Sequence, residues 1–187
     1  MPPQPPASAD PVAATRRWLE RAVIGLNLCP FAKSVTVKGQ VRFATTGART
    51  PAALLDALAA ELALLRDTPA EAVDTTLLIH PHVLGDFLDY NDFLDEADAL
   101  VERMDLAGVL QVASFHPGYR FAGSADDDVG NCTNRSPFPM LHLLREDSVA
   151  RAVAAYRDPD VIVERNLRTL DRLGHAGWRR LFEDEAP

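Results

Sequence analysis

The expected fold depends on one stretch, which begins Ser114-Phe115-His116-Pro117-Gly118-Tyr119-Arg120-Phe121 and ends Asn134-Arg135-Ser136-Pro137-Phe138-Pro139-Met140-Leu141-His142. Between these ends lies an acidic, glycine-containing middle without a periodic apolar pattern. Loops of this length inside compact domains are usually functional or disordered. The aromatic, arginine, histidine and cysteine side chains are not the composition of a disordered linker. We therefore predict that residues 116–139 line a binding site.

Two short apolar or β-branched runs, 75–79 and 109–115, are typical of strands that are buried on both faces. The first run is followed by His80-Pro81-His82 and the second by His116. A further strand is expected near 41–45. Residues 34–45 could instead form a hairpin with a glycine-first turn, and the single strand is the interpretation that we prefer slightly.

Helical patterns separate and flank these strands. A capping residue followed by proline starts helices at Asp10-Pro11 and Thr50-Pro51, and an apolar stripe opposite a row of acids predicts a helix over 86–104. Beyond the long loop, 139–145 is interpreted as one or two helical turns, and Asp147 as the cap of a following segment. This order predicts an α/β fold built from βαβ units, with a small, mainly parallel sheet of three to four strands, flanking helices and a helical C-terminal part.

The length of 187 residues and the hydrophobic content of 47% allow one well-buried core. We predict a disordered Pro-rich tail over residues 1–9 and a single α/β domain over 10–187. The N-terminus lacks the basic and apolar regions of a signal peptide, and no apolar run approaches the ~20 residues of a membrane span. Cys29 and Cys132 do not make a disulfide framework, so we expect a soluble cytoplasmic protein.

The formal net charge of −8 argues against nucleic-acid and anionic-membrane partners, because both require clustered lysine and arginine. The acidic residues are spread over the expected helix faces rather than forming one block, which is typical of a solvated surface.

Three groups of residues carry a resemblance to a known family. They are Gly25-Leu26-Asn27-Leu28-Cys29-Pro30-Phe31-Ala32-Lys33, then Asp89-Tyr90-Asn91-Asp92-Phe93-Leu94, and Phe115-His116-Pro117 followed by Asn134-Arg135-Ser136-Pro137. Over roughly residues 12–174 the chain resembles a bacterial family known as domain of unknown function 1415. The resemblance implies a single-domain, cytoplasmic bacterial protein, and it implies no reaction and no ligand.

His116 is the leading catalytic candidate. It follows a buried strand and opens the long loop, where an imidazole with a pKa near neutrality could act as an acid or base or hydrogen-bond a ligand. A structural turn histidine is the alternative. Parallel strands deliver their carboxyl ends to one edge of a sheet, so we expect His80, His82 and His116 to lie near one crevice.

The same three histidines could bind zinc or iron with one open coordination position. Packing of His80 and His82, or capping of the next helix, is the interpretation that their spacing favours. The chain has neither a Walker motif nor a dinucleotide glycine motif, so a nucleotide cofactor is not indicated, and the sequence leaves other cofactors open.

Cys29 is the second catalytic candidate. It lies at the C-terminal end of the first expected helix, which supplies neither a helix N-terminus nor a cation to activate a thiolate. A buried structural cysteine is therefore the preferred interpretation, with a nucleophile or ligand as the alternative. Cys132 is expected to be an exposed thiol without a role.

Arg120 and Arg135 could hold a carboxylate or phosphate through their guanidinium forks, or they could pair with the acids at 126–128. Asn134 adjoins Arg135 before an expected helix entry, where free N–H groups attract anions. Tyr119 could stack on a ligand or anchor the loop. Asn91 is either a ligand contact or, like Asp89, a helix cap.

These features predict a small-molecule enzyme that acts on or binds an anionic metabolite, in a crevice at the edge where the strands end. The alternative is a non-catalytic binding or regulatory domain that engages a protein partner through the crevice or the acidic surface. The substrate, the reaction and the oligomeric state stay open.

Overall fold

The computed structural model describes residues 9–156, 158 and 161–183. Apart from Ala9, the predicted Pro-rich tail over 1–9 lies outside the described residues. No helix within these ranges combines the length and the apolar character that a bilayer span requires.

The chain forms one mixed sheet of four strands in the order β1-β2-β4-β3. The strands are β1 (Val41–Thr45), β2 (Thr75–Ile79), β3 (Leu110–Phe115) and β4 (Met140–Arg145). β1 pairs with β2 in parallel, whereas β4 lies between β2 and β3 and is antiparallel to both. The α/β class and a sheet of up to four strands are thus confirmed. The mainly parallel sheet and the helical turns at 139–145 were wrong predictions.

Six α-helices accompany the sheet in the described part of the chain. They are α1 (Pro11–Trp18), which continues as π-helical turns over Leu19–Ile24, α2 (Ala32–Val37), α3 (Pro51–Asp67), α4 (Phe87–Arg103), α5 (Glu146–Ala155) and α6 (Val161–Arg180). A short 3₁₀ helix, Val129–Thr133, lies within the long loop. The helical C-terminal part is therefore confirmed, and so is the single strand at 41–45.

Helix starts follow the capping chemistry of the sequence. The side chains of Asp10 and Thr50 accept hydrogen bonds from N–H groups in the first turns of α1 and α3. Asp86 caps α4, so neither Asp89 nor Asn91 is the cap. α5 starts after Arg145 without a side-chain cap, and the predicted capping role of Asp147 was wrong.

Two buried clusters hold the layers together. Leucines of α3 and aromatic residues of α4 pack on one face of the sheet, where they meet Leu78, Leu141 and Leu143. On the other face, Trp18 of α1 and Trp178 of α6 pack against Leu77, Ile79 and Met140 of the sheet. Each fully buried side chain of this size stabilises the fold by about 1.5–3 kcal/mol relative to exposure.

The pairing of the strands positions the candidate site. Because β4 is antiparallel to both β2 and β3, the strands β1, β2 and β3 all run in one direction. Their last residues lie side by side, with Thr45 opposite Ile79, and with Ile79 and Phe115 both opposite Met140. We call this edge of the sheet the carboxyl edge. His80 and His116 directly follow β2 and β3 there, as the sequence argument required.

Candidate functional site

Five rings pack together at the carboxyl edge, and we call them the edge cluster. Its members are His80, Phe87, Tyr90, His116 and Tyr119. The Tyr90 ring stacks on His80 with a centroid distance of 5.8 Å and lies 5.0 Å from His116. Phe87 contacts His116 at 5.5 Å and Tyr119 at 5.2 Å. The structure thus brings two of the three candidate histidines against the same phenol ring.

Tyr90 joins the neighbouring strands β3 and β4 at the carboxyl edge. Its hydroxyl donates a hydrogen bond to the carbonyl of Met140 at 2.8 Å and accepts one from the N–H of Phe115 at 3.1 Å. Burial raises the pKa of this phenol far above its ordinary value, so the ring stays neutral. Tyr90 therefore acts as a neutral bridge between α4 and the ends of β3 and β4.

Both ring nitrogens of His116 are occupied by the backbone. Nδ1 accepts from the N–H of Gly118 at 2.9 Å, so the proton sits on Nε2, which donates to the carbonyl of Leu84 at 3.1 Å. Burial lowers the pKa of His116, and the hydrogen bond to Leu84 partly opposes that shift. This geometry matches the structural alternative. The acid–base role of His116 stays a prediction that the observed hydrogen bonds do not favour.

His80 is different, because one of its nitrogens is left over. Its Nδ1 donates to the carbonyl of Val83 at 3.1 Å, which leaves Nε2 as an acceptor lone pair. The side chain is 0% exposed, and Nε2 has no partner among the described residues. Burial lowers the pKa of His80 to about 4. A buried acceptor without a donor costs about 1–3 kcal/mol, so this atom is an unsatisfied polar group within the edge cluster.

His82 and Asn91 do not belong to the edge cluster. Both side chains are exposed, His82 in the loop after β2 and Asn91 on the outer side of α4. Within the described ranges, no three His, Cys, Asp or Glu side chains are grouped so that they could hold a metal ion. The arrangement of His80, His82 and His116 that a three-imidazole metal site needs is therefore not formed.

Arg120 and Arg135 have different roles in the long loop. Arg120 is exposed and forms an ion pair with Asp126, which is the surface alternative considered above. Arg135 is only 3% exposed, and its guanidinium donates to the carbonyls of Tyr119 at 3.0 Å and Asp126 at 2.7 Å. Both arginines thus form hydrogen bonds or ion pairs within the long loop. The buried Nη1 of Arg135 has no partner among the described residues, so its role as an anion contact stays a prediction.

Asparagine side chains close the long loop. The side-chain amide of Asn134 donates to the backbone carbonyl of Ser114 at 3.1 Å. The backbone carbonyl of Asn134 accepts from the N–H of His116 at 3.2 Å. Further along, the buried Asn131 accepts from the N–H of Phe121 and from the hydroxyl of Ser124. The two ends of the long loop therefore meet beside the carboxyl edge, whereas most of residues 121–128 are exposed. Tyr119 anchors the loop through ring contacts with Phe87 and Phe121.

The two cysteines lie on the face of the sheet that α1 and α6 cover, opposite to the face covered by α3 and α4. Cys29 is half-buried and packs against the cluster that contains Trp18 and Trp178, so the structure does not bring it together with His116. Cys132 is 1% exposed, and its predicted exposure was wrong because the short 3₁₀ helix packs against α6. Burial raises the pKa of the Cys132 thiol, and the nearby Arg135 guanidinium acts in the opposite direction.

A groove of about 590 Å³ runs along α6 and is lined by Val161, Arg165, Arg168, Asp171 and Arg172. It is separate from the edge cluster, because α6 packs on the face of the sheet opposite to α3 and α4.

One protein family matches residues 10–180, and its description is "Protein of unknown function (DUF1415)". The chain belongs to the DUF1415 family. The match confirms the resemblance drawn from the three sequence motifs. No curated protein and no solved structure matches the chain.

Two residues of this DUF1415 chain matter more at the edge than the sequence suggested. The sequence places Tyr90 on the apolar face near the start of the helix predicted over 86–104, but it does not predict that the hydroxyl joins two strands, although a buried tyrosine generally needs a partner for its hydroxyl. Asn131 lay in a stretch without a periodic pattern, and no sequence signal identified it.

Replacement of Tyr90 by phenylalanine is expected to lower the free energy of unfolding of this DUF1415 protein by about 2 kcal/mol, because the N–H of Phe115 loses its acceptor. Urea denaturation followed by circular dichroism measures the change. Tyr119→Phe is the matched control, since that ring is only half-buried, and it should shift the free energy by less than about 0.5 kcal/mol. Equal effects of the two substitutions would contradict the bridging role of Tyr90.

Proposed function

We propose that this protein binds a small anionic molecule at the carboxyl edge of its sheet and that enzymatic action on that molecule takes place beside His80. The single observation that carries the proposal is the Nε2 atom of His80, which is fully buried and has no partner among the described residues. A neutral imidazole in this tautomer offers its lone pair to a hydroxyl or amine of a ligand.

The position of His80 in the fold supports the proposal. Ligands of α/β proteins generally bind outside the carboxyl ends of parallel strands, and β1, β2 and β3 all end at this edge. The helices α3 and α4 follow β1 and β2, so both begin on this side of the sheet. Helix N-termini attract anions through their free N–H groups and their dipoles.

The chemistry of the site follows from the charge state of its rings. With a pKa of about 4, His80 is neutral near neutral pH, so it accepts a hydrogen bond rather than donating a proton. A bound anion would raise that pKa, because it stabilises the imidazolium form. This is the route by which His80 could take a proton from a ligand hydroxyl. His116 and Tyr90, whose polar atoms are engaged with the backbone, hold the edge in shape.

The test is a thermal-shift screen of anionic metabolites on the full chain and on His80→Phe. We expect at least one compound to raise the melting temperature of the unsubstituted protein, and its Kd to rise at least about 10-fold in His80→Phe. The phenyl ring keeps the contact with Tyr90. Loss of the Val83 hydrogen bond is offset by removal of the unpaired nitrogen, so stability should change by about 1 kcal/mol or less.

His142→Phe is the matched control for this screen. His142 is a second imidazole whose pKa burial lowers to about 4, but it lies in β4, opposite Leu77 on the other face of the sheet. Binding should survive in His142→Phe. A flat screen, or a hit that binds His80→Phe as tightly as the unsubstituted protein, would end the proposal.

A partner protein is the second candidate, and the groove along α6 favours it. Three of the residues that line the groove are arginines, and Val163 and Leu167 are exposed on the same helix. An acidic segment of a partner would complement these charges. Its test is salt-sensitive binding of a labelled polyglutamate peptide, which Arg168→Gln with Arg172→Gln should abolish.

A further inference from the structure

The guanidinium of Arg135 carries a buried positive charge that no carboxylate balances. The side chain is 3% exposed, and within the described ranges it forms no ion pair with an acid. Asp126 contacts Arg135 only through its backbone carbonyl, because its carboxylate pairs with Arg120. The carboxylate of Asp128 accepts from the N–H of Gly130. Buried charges are normally paired, since an unpaired charge is costly to remove from water.

Arg135 also keeps hydrogen-bond donors that are not used. A guanidinium has five N–H donors. Arg135 uses one on Nε for the carbonyl of Tyr119 and one on Nη2 for the carbonyl of Asp126. Nη1 is buried and has no partner among the described residues, so both of its N–H groups and the second N–H of Nη2 are left over. Because buried donors nearly always have a partner, an orphaned one indicates that an ion or a water belongs beside it.

The thiol of Cys132 borders the same group. Burial raises the pKa of this thiol, and the charge of the Arg135 guanidinium opposes that shift, which shows that the two groups are close. Cys132 is 1% exposed. With a raised pKa the thiol is neutral near neutral pH, and a neutral thiol is only a weak acceptor. Cys132 therefore forms part of the surroundings of Arg135 without supplying the missing negative charge.

The chemistry of the missing partner follows from this charge and these donors. One guanidinium carries one positive charge, which one carboxylate balances. A phosphate ester carries about −1.5 to −2 near neutral pH, so it would leave negative charge in excess in a buried site. The two oxygens of a carboxylate also match the free N–H groups of Nη1 and Nη2, which together form a second fork at the end of the guanidinium.

A route to Arg135 passes through the middle of the long loop. Most of residues 121–128 are exposed, and this stretch includes Asp126, whose carbonyl accepts from Nη2 of Arg135. Displacement of the stretch would break that hydrogen bond and uncover the guanidinium, while the pairing of the four strands stays intact. Local opening of this kind costs less than global unfolding, so a small molecule can reach the buried group.

We infer that Arg135 binds the carboxylate of a small molecule through Nη1 and Nη2, beneath the exposed stretch 121–128 and beside Cys132. The inference goes beyond the proposed function and does not depend on it, because none of the contacts that carry it involves His80.

The experiment titrates acetate, acetamide and methyl phosphate into the full chain and follows amide chemical shifts in two-dimensional NMR. We expect acetate to bind with a Kd of the order of millimolar and to shift the amides of Asp127, Cys132 and Arg135. Acetamide has nearly the same shape but no charge, and it should not bind. Methyl phosphate should bind at least about 10-fold more weakly than acetate, because its charge exceeds that of the guanidinium.

Two variants test the contact from opposite sides. Arg135→Lys keeps the positive charge but not the fork, and it should weaken acetate binding at least about 10-fold. Cys132→Asp places a carboxylate next to the guanidinium, so it should abolish acetate binding by internal competition. Cys132→Ser, which adds no charge, is the matched control for the second variant, and Arg120→Ala, which removes an exposed guanidinium, is the control for the first. Both controls should keep the Kd within about 2-fold.

Acetate binding that is absent, or that is unchanged in Arg135→Lys or Cys132→Asp, would overturn the inference. Tighter binding of methyl phosphate than of acetate would overturn it as well. His80→Phe separates the inference from the proposed function, since acetate should bind this variant normally. Loss of acetate binding in His80→Phe would place the anion beside His80, which ends the inference and supports the proposed function. A screened anion that binds His80→Phe normally, but not Arg135→Lys, would have the opposite meaning.

Discussion

Acidification from about pH 8 to about pH 5 should lower the free energy of unfolding by about 2 kcal/mol for His80 and by a similar amount for His142. Burial lowers the pKa of each imidazole from 6.5 to about 4. The unfolded chain therefore takes up protons below about pH 6.5, whereas the folded chain does not until about pH 4. The stability that these residues contribute is present above pH 6.5 and is lost as the pH falls through that window.

Urea denaturation at steps of pH between about 8 and 5 measures this dependence, since most carboxyl groups stay ionised in that range. His80→Phe and His142→Phe should each remove about 2 kcal/mol of the loss between the two ends of the range, and part of the remaining loss belongs to His116, whose pKa burial also lowers. His82→Gln, which replaces an exposed imidazole, should leave the dependence unchanged. An unchanged dependence in both phenylalanine variants would show that these histidines are not neutral in the folded protein.

The sequence was sufficient for the elements whose local chemistry agrees with their packing. The caps at Asp10 and Thr50, the apolar face of α4 and the buried strand β2 all follow from side chains within the element itself. β3 forms where the sequence predicts a strand, but its predicted burial on both faces was wrong, because β3 is an edge strand in which only Leu110 is buried. Because β2 and β3 each follow a helix that returns the chain across the sheet, β1, β2 and β3 run the same way. The position of His80 and His116 at one edge could therefore be predicted.

β4 could not be predicted from its own residues. Met140-Leu141-His142-Leu143-Leu144-Arg145 contains good helix formers and no β-branched side chain. Its strand conformation comes from tertiary pairing with β2 on one side and β3 on the other. The connection 116–139 is long enough for a parallel crossover as well as for an antiparallel return, so its length did not fix the direction of the strand that follows it.

At the candidate site, the residue type and its sequence neighbours do not predict which hydrogen bonds a side chain makes. His80 and His116 have the same sequence setting, each directly after a strand and before a proline. Their hydrogen bonds decide their roles, since His116 satisfies both nitrogens with Gly118 and Leu84 whereas His80 satisfies one with Val83. Those partners come from loops whose conformation depends on the whole fold. Arg120 and Arg135 also looked alike in sequence, yet one is exposed and the other is buried.

Replacement of Arg135 by alanine is expected to lower the free energy of unfolding by about 3–5 kcal/mol. The buried guanidinium donates to the carbonyls of Tyr119 and Asp126, and truncation leaves both without that donor while opening a cavity beneath the loop. Arg135→Lys keeps the charge but not the fork that spans two carbonyls, so it should be intermediate. Urea denaturation gives the free energies. The rate at which a thiol reagent modifies Cys132, which the intact loop buries, reports local opening.

Arg120→Ala is the matched control, because it removes a guanidinium group from the same loop. The Arg120 side chain pairs at the surface with the side chain of Asp126, the residue whose carbonyl Arg135 contacts. Exposed ion pairs contribute at most about 1 kcal/mol, so the control should remain close to the unsubstituted protein and keep Cys132 protected. If Arg135→Ala were as stable as Arg120→Ala, the buried guanidinium would not be what fastens the loop beside the carboxyl edge. The guanidinium of Arg135, whose buried Nη1 has no partner among the described residues, would then be the stronger candidate for an anion contact. A large loss of stability with rapid modification of Cys132 instead shows that Arg135 holds the loop in place.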